Sequence, residues 1–162
     1  MSALHSIILL AGIAAPPADT ADCVAAARFL REDRRMVAVV ERDTFDDWRT
    51  RKRVPGCRIT SAGATDIGVA REAVRFYERV RATGWTRTPD PADAPNEASL
   101  RFRQGGSDCL FNVNALAMLN TVAEEKVNEL VTVPSGQARY HVFVMCMPAM
   151  PAAASLAPER EQ

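Results

Sequence analysis

The stretch Leu100-Arg101-Phe102-Arg103-Gln104-Gly105-Gly106-Ser107-Asp108-Cys109-Leu110-Phe111-Asn112-Val113 decides the fold. Leu100 and Phe102 alternate with Arg101 and Arg103, and Cys109, Phe111 and Val113 alternate with Leu110 and Asn112. Side chains on a strand point to opposite faces in turn, so each half reads as a strand with one apolar face. Residues 104–108 form the turn between them, and Gly105 and Gly106 supply the backbone freedom a tight hairpin needs. A connection this short joins antiparallel strands, because a parallel crossover needs about a dozen residues or more.

Downstream, residues 114–132 read both ways. Leu116, Leu119 and Ala123 have helical spacing, whereas Val127, Leu130, Val131 and Val133 suit a strand. Pro134-Ser135-Gly136 is a turn, and residues 140–147 form a last strand with both faces apolar. Residues 148–162, rich in Ala and Pro and then charged, read as a flexible C-terminal tail.

Upstream lies a Pro-rich connector, Pro89 to Pro95, which lacks the backbone donors of a strand. Before it runs the clearest helix, with Val69, Ala73, Phe76 and Val80 at i, i+4, i+7 and i+11, flanked by Ala70 and Tyr77. Thr65 or Asp66 is the expected N-cap and Gly84 the terminator, with Arg71, Glu72, Arg75, Glu78, Arg79 and Arg81 on the water side. A shorter helix is expected over 22–33, with Cys23, Ala27, Leu30 and the adjoining Val24 on its inner face. Residues 36–40 read as a covered strand and 57–61 as another, with Val54-Pro55-Gly56 as a turn before it. Between them, residues 41–53 read as a charged loop carrying Phe45 and Trp48. The expected class is α+β: an antiparallel sheet of about four to five strands, packed by one long and one shorter helix and closed by two disulfides.

The chain has four cysteines, Cys23, Cys57, Cys109 and Cys146, tens of residues apart and with no Cys-x-x-Cys. Zinc sites usually use closely spaced ligand pairs, so these cysteines read as two disulfides rather than as a metal site. Cys109 and Cys146 fall on strands of the same C-terminal region, which favours Cys109–Cys146 and Cys23–Cys57 among the three possible pairings. Disulfides imply an oxidising compartment. An apolar run over 7–15 agrees: it is too short to span a bilayer and suits a signal peptide at 1–14, followed by a linker at 15–21. The absence of Lys or Arg from 1–6 runs against that reading. The front of a lipobox at Leu10-Ala11-Gly12 is followed by Ile13 instead of the lipidated Cys. The mature chain is therefore expected to be exported, periplasmic or extracellular, with no transmembrane segment and a single α+β domain over 22–147.

The 20 Lys and Arg balance the 20 Asp and Glu, so no net field attracts nucleic acid or an anionic membrane. Lys52 and Lys126 are the only lysines, an Arg- and Ala-rich usage that suggests a GC-rich bacterial genome. About 145 residues would remain after trimming, enough for one domain with a real core.

No motif identifies a reaction. His5 would leave with the leader, and His141 is the other histidine. A hydrolase using His141 with Ser107 or Asp108 is the catalytic alternative, although no nucleophile elbow surrounds Ser107. Asp43, Asp46, Asp47, Asp90 and Asp93 could supply the paired carboxylates of glycoside hydrolysis but, with no fold-specific motif, read as solvated acids, and Asp43, Asp46 and Asp47 lack the spacing and glycine of a calcium loop. No phosphate loop or dinucleotide fingerprint occurs. The strongest local feature is the basic, aromatic segment with Phe45, Trp48, Arg49, Arg51 and Arg53. Exposed loop aromatics beside charges are candidate contact residues. The sequence thus reads as an exported, disulfide-stabilised binding module for a protein or cell-envelope partner, with no catalytic residue, metal or cofactor.

Overall fold

The structure, a computed structural model, describes residues 18–47, 50–88 and 99–150. The leader over 1–14, Trp48, Arg49, the Pro-rich connector and the tail from 151 lie outside the described residues.

Among the described residues six strands form one antiparallel sheet: β1 (Val37–Asp47), β2 (Lys52–Thr65), β3 (Thr86–Arg87), β4 (Ser99–Gln104), β5 (Ser107–Asn114) and β6 (Ala138–Pro148). Their spatial order is β1-β2-β6-β5-β4-β3. The helices are α1 (Val24–Arg28), α2 (Val69–Ala82) and α3 (Val122–Leu130). A 3-10 turn (Ala18–Cys23) leads into α1 and a π-helical turn (Phe29–Asp33) leaves it. The expected α+β class and antiparallel sheet are present, with six strands instead of four to five and a third helix. The added strand, β3, has two residues, too few to show a periodicity. In the ambiguous stretch the helix prevails because Thr121 caps it: its hydroxyl accepts the Glu124 N–H at 3.3 Å.

Alternation sorts the sheet into two faces. On one face Ile59, Leu100, Phe102, Phe111, Val113, Tyr140, Val142 and Val144 meet Ala26, Phe29 and Leu30 from the first helical stretch and Phe76, Tyr77 and Val80 from α2. Phe111 is the centre, with ring centroids of Trp85 at 5.4 Å, Phe76 at 5.9 Å, Phe102 at 6.0 Å and Phe29 at 6.5 Å, mostly edge to face. That geometry sets ring edges against ring faces, where aromatic quadrupoles attract. The Tyr77 hydroxyl donates to the Phe111 carbonyl at 2.9 Å, and its burial pushes the phenol's pKa upward. Helix α3 covers part of the other face, where Asn128 meets His141.

Several local expectations are corrected. The linker over 15–21 gives way to the 3-10 turn from Ala18. Val24 is largely exposed instead of facing inward. Residues 41–47 continue β1 and 52–56 open β2, so neither the charged loop over 41–53 nor the Val54-Pro55-Gly56 turn exists as such. Backbone pairing from Glu41↔Arg58 to Asp47↔Lys52 holds this polar stretch extended, and such pairing does not depend on side-chain polarity. β6 ends at Pro148, one residue into the expected tail.

Helix α2 is capped by Gly68, at φ 81°, rather than by Thr65 or Asp66, and Gly84, at φ 90°, ends it. Both angles belong to the left-handed half of the map, where a Cβ is strained. Thr65 serves elsewhere, donating its hydroxyl proton to Glu72 at 2.9 Å. Glu72 is itself buried, against the expectation that it faces water. Its other oxygen pairs with Arg34, which also reaches the Tyr140 hydroxyl at 3.4 Å and lies 5.7 Å from the Phe76 ring centroid. This cluster joins the end of the first helical stretch, α2, β2 and β6.

Both disulfides pair as expected, Cys23–Cys57 and Cys109–Cys146. The register shows why. Cys57, Cys146 and Cys109 stand abreast on β2, β6 and β5. An antiparallel residue turns both backbone hydrogen-bonding groups toward one neighbour, so it can be a close, non-hydrogen-bonded pair with only the other. Cys109 and Cys146 have a Cα–Cα distance of 4.1 Å, the close kind. Cys57 is left to reach up to Cys23 at 6.0 Å, tying the helical layer to the sheet.

Candidate functional site

The charged aromatic segment is the end of a two-stranded arm. β1 and β2 stay paired out to Asp47↔Lys52, whereas β6 leaves β2 at Cys57↔Cys146. Continuing the β2–β6 register by two would set Pro55 opposite Pro148, and neither proline has an N–H to donate. The ladder stops there, and residues 43–47 and 52–56 run on paired with each other as a two-stranded ribbon.

Phe45 lies on this ribbon and is half-buried, with its ring 3.0 Å from where a Cβ on Gly56 would stand. The same Cβ would also overlap the carbonyl oxygen of Cys146, so the crossing at the root of the arm admits only glycine. Gly56→Ala is expected to destabilise the domain by about 2–3 kcal/mol, because backbone rather than a flexible side chain must move. Chemical denaturation checks this; an unchanged midpoint would show that the arm is free to shift.

At the tip, Thr50 donates its N–H to the Asp47 carbonyl at 3.1 Å and its hydroxyl to the Asp47 carboxylate at 3.2 Å. Arg51 closes the turn at φ 55°, a strained conformation for a side chain with a Cβ. Arg51, Lys52 and Arg53 are exposed. Arg53 lies 3.6 Å from Asp46, but both are so open to water that the pair contributes little. Nearer the root, Arg58 bonds Glu41 at 3.0 Å and lies 3.5 Å from Asp43; the Glu41 hydrogen bond raises its pKa against the opposing effect of burial. Glu41 and Asp43 are thus paired with Arg58 at the root, while Arg51, Lys52 and Arg53 stand exposed at the tip together with Asp46. The structure brings Phe45, Arg51 and Arg53 onto one projecting element; Trp48 and Arg49 of that set lie outside the described residues.

The catalytic alternative is not assembled. Ser107 pairs with Pro148 at one end of the β5–β6 ladder, and His141 pairs with Asn114 at the other. At ~3.3 Å per residue the two ends are about 23 Å apart. The Ser107 hydroxyl donates to Asp22 at 2.6 Å, and Asp108 is fully buried against Arg103 at 2.6 and 2.8 Å. Both therefore join structural elements, and neither can serve His141.

His141 instead meets Asn128 of α3, with its Nε2 at 2.9 Å from Asn128 Oδ1. Arg139 donates to the same oxygen at 3.0 Å. Burial lowers the His141 pKa, nearby Arg139 lowers it further, and Glu124 partly opposes them. The sign follows: folded His141 takes up a proton less readily than unfolded histidine, whose pKa is near 6.5. Its contribution to stability is present above about pH 6.5 and is lost as pH falls from there toward the lowered folded value. The melting temperature of the wild type should fall between about pH 7 and 5.5, and His141→Gln should flatten that part of the curve. Parallel curves would refute the assignment.

Glu124 and Asn128 were missed in the sequence because their segment read two ways. Thr121-Val122-Ala123-Glu124 is a capping-box signature, Thr-x-x-Glu, and is the unused signal that places them on a helix. Asn128 then lies one turn beyond Glu124 on the same face. Among the described residues no three His, Cys, Asp or Glu side chains group as metal ligands, and no helix is long and apolar enough to cross a membrane. Comparison of the chain with protein-family models, with curated proteins and with solved structures finds no match.

Proposed function

We propose that this chain is an exported, disulfide-stabilised binding module of the cell envelope or secretome, which engages a protein or envelope component through its β1–β2 arm and catalyses no reaction. The observation that supports this is the arm itself. Pairing of β1 with β2 runs on past the last β2–β6 pair and ends in exposed cations, where an ordinary hairpin would stop with its neighbour. Thr44, Asp46, Lys52 and Arg53 of this ribbon are exposed, and Arg51 is held in a strained conformation at its tip. The two disulfides suit an oxidising compartment.

The test uses capture by the immobilised protein from an envelope extract of the native cell. Trp48→Ala with Arg51→Gly should abolish it while the melting temperature is retained, because glycine fits φ 55° without strain. Capture should also weaken with rising salt, since exposed cations carry it. Unchanged capture by the double variant removes the arm from the interface.

A further inference from the structure

On the sheet face that α3 partly covers lies a cavity of about 170 Å³. It is independent of the arm. Thr60 of β2 and His141 and Phe143 of β6 form its floor, and Leu116, Met118 and Leu119 form its rim. The rim residues are unusual for a surface loop, with exposures of 74% for Leu116 and 67% for Met118. The loop is nevertheless pinned. The Met118 and Leu119 N–H groups each donate to a Glu124 carboxylate oxygen at 2.8 Å. Glu124 is occupied by its own loop and is not available to a ligand.

The floor carries two unmet hydrogen-bonding atoms. Thr60 Oγ1 and His141 Nδ1 are buried and have no partner among the described residues, in residues that are 3% and 7% exposed. Buried polar atoms are seldom left so, because an unmade bond forfeits solvation without return. The tautomer of His141 follows from Asn128. Arg139 can only donate, so the Asn128 atom it meets is the oxygen. His141 Nε2 must then carry the proton that it donates there, which leaves Nδ1 of the neutral ring as a bare lone pair. Thr60 pairs with Phe143 and His141 with Ala62, so Thr60 and His141 are diagonal neighbours, with Cβ atoms ~7 Å apart or less. A small shift of the two side chains that admits one hydroxyl between them would satisfy both: it donates to Nδ1 and accepts from Thr60.

We propose that this cavity binds a small neutral hydroxyl compound of single-ring size. Its ring rests against Leu116, Met118, Leu119 and Phe143, and its hydroxyl bridges His141 Nδ1 and Thr60 Oγ1. The volume suits one ring, since dry cavities of about 150 Å³ hold benzene. Phe143 and the Met118 sulfur suit an aromatic body. An anion is disfavoured by the Nδ1 lone pair and by the Glu124 carboxylate in the wall.

The experiment titrates the full-length protein with phenol, benzene and benzoate, following the His141 ring nitrogens by long-range proton–nitrogen correlation. Phenol should bind saturably, with Kd near or below about 1 mM, and shift Nδ1 away from its bare lone-pair position. Benzene should bind roughly three- to tenfold more weakly, the worth of about one hydrogen bond, and benzoate more weakly still. Thr60→Val keeps the branched shape and should weaken phenol by roughly three- to tenfold without altering benzene. Leu116→Ala changes an exposed residue and should weaken both rings. Phenol that fails to saturate, that binds no better than benzene, or that is indifferent to Thr60→Val overturns the proposal and leaves a cavity holding water only.

Discussion

Removing the Cys23–Cys57 bond by Cys23→Ala with Cys57→Ala is expected to lower the unfolding free energy by about 4 kcal/mol, from the loop-closure entropy returned to the unfolded chain. The bond spans 34 residues, and it is the covalent link between the helical layer and the sheet. A domain of ordinary stability has about 5–15 kcal/mol in total, so the variant should stand near its folding limit at 37 °C. Both cysteines must be replaced together. Cys23→Ala alone would leave a Cys57 thiol abreast of Cys146, itself bonded to Cys109. Thiol–disulfide exchange would then scramble the pairing. Urea denaturation of the double variant, with Cys109–Cys146 verified by mass, measures the effect. A loss under about 1 kcal/mol would show that the helical layer is held by packing alone.

Glu72→Ala should cost a comparable amount, about 3–5 kcal/mol, because it breaks a buried ion pair from one side. The Arg34 guanidinium would stay inside, 13% exposed at the side chain, with no carboxylate opposite. The Thr65 hydroxyl would lose its acceptor as well. The loss measures the stranded charge, not the net value of the pair. Removing both partners, as Arg34→Met with Glu72→Leu, should therefore recover most of the stability, since a buried pair often does no better than well-packed apolar groups. A double-mutant cycle separates the two possibilities. If the double variant is as unstable as the sum of the singles, the cluster acts through independent contacts.

The two proposed sites differ in how far they could be seen beforehand. Phe45, Arg51 and Arg53 stand out by composition, and any fold would leave a segment so charged near water. That they lie on a paired ribbon depends on the β1–β2 register and on where the β2–β6 ladder ends, which residues far apart in the chain decide together. The His141 cavity is harder to see. Thr60, His141 and Leu116 come from separate elements, and nothing in their spacing links them.

What the sequence by itself determined is whatever depends on neighbours along the chain. The Gly105-Gly106 hairpin, the apolar stripe and Gly84 terminator of α2, and the twofold alternation of β4 and β5 follow from turn chemistry and side-chain period. Cysteine spacing and strand assignment together also led to the right pairing. The tertiary structure decided the rest, because it arises from contacts between distant residues. Glu72 has the period of a solvent-facing position and is buried because Arg34, Thr65 and Tyr140 converge on it. Residues 41–47 look like a loop and are a strand because β2 supplies their hydrogen-bond partners. Cys146 has Cys57 on one side and Cys109 on the other, and the alternation of close and wide pairs across three strands selects between them. Local sequence sets period and turns; register, which depends on all the strands at once, sets which side chains meet.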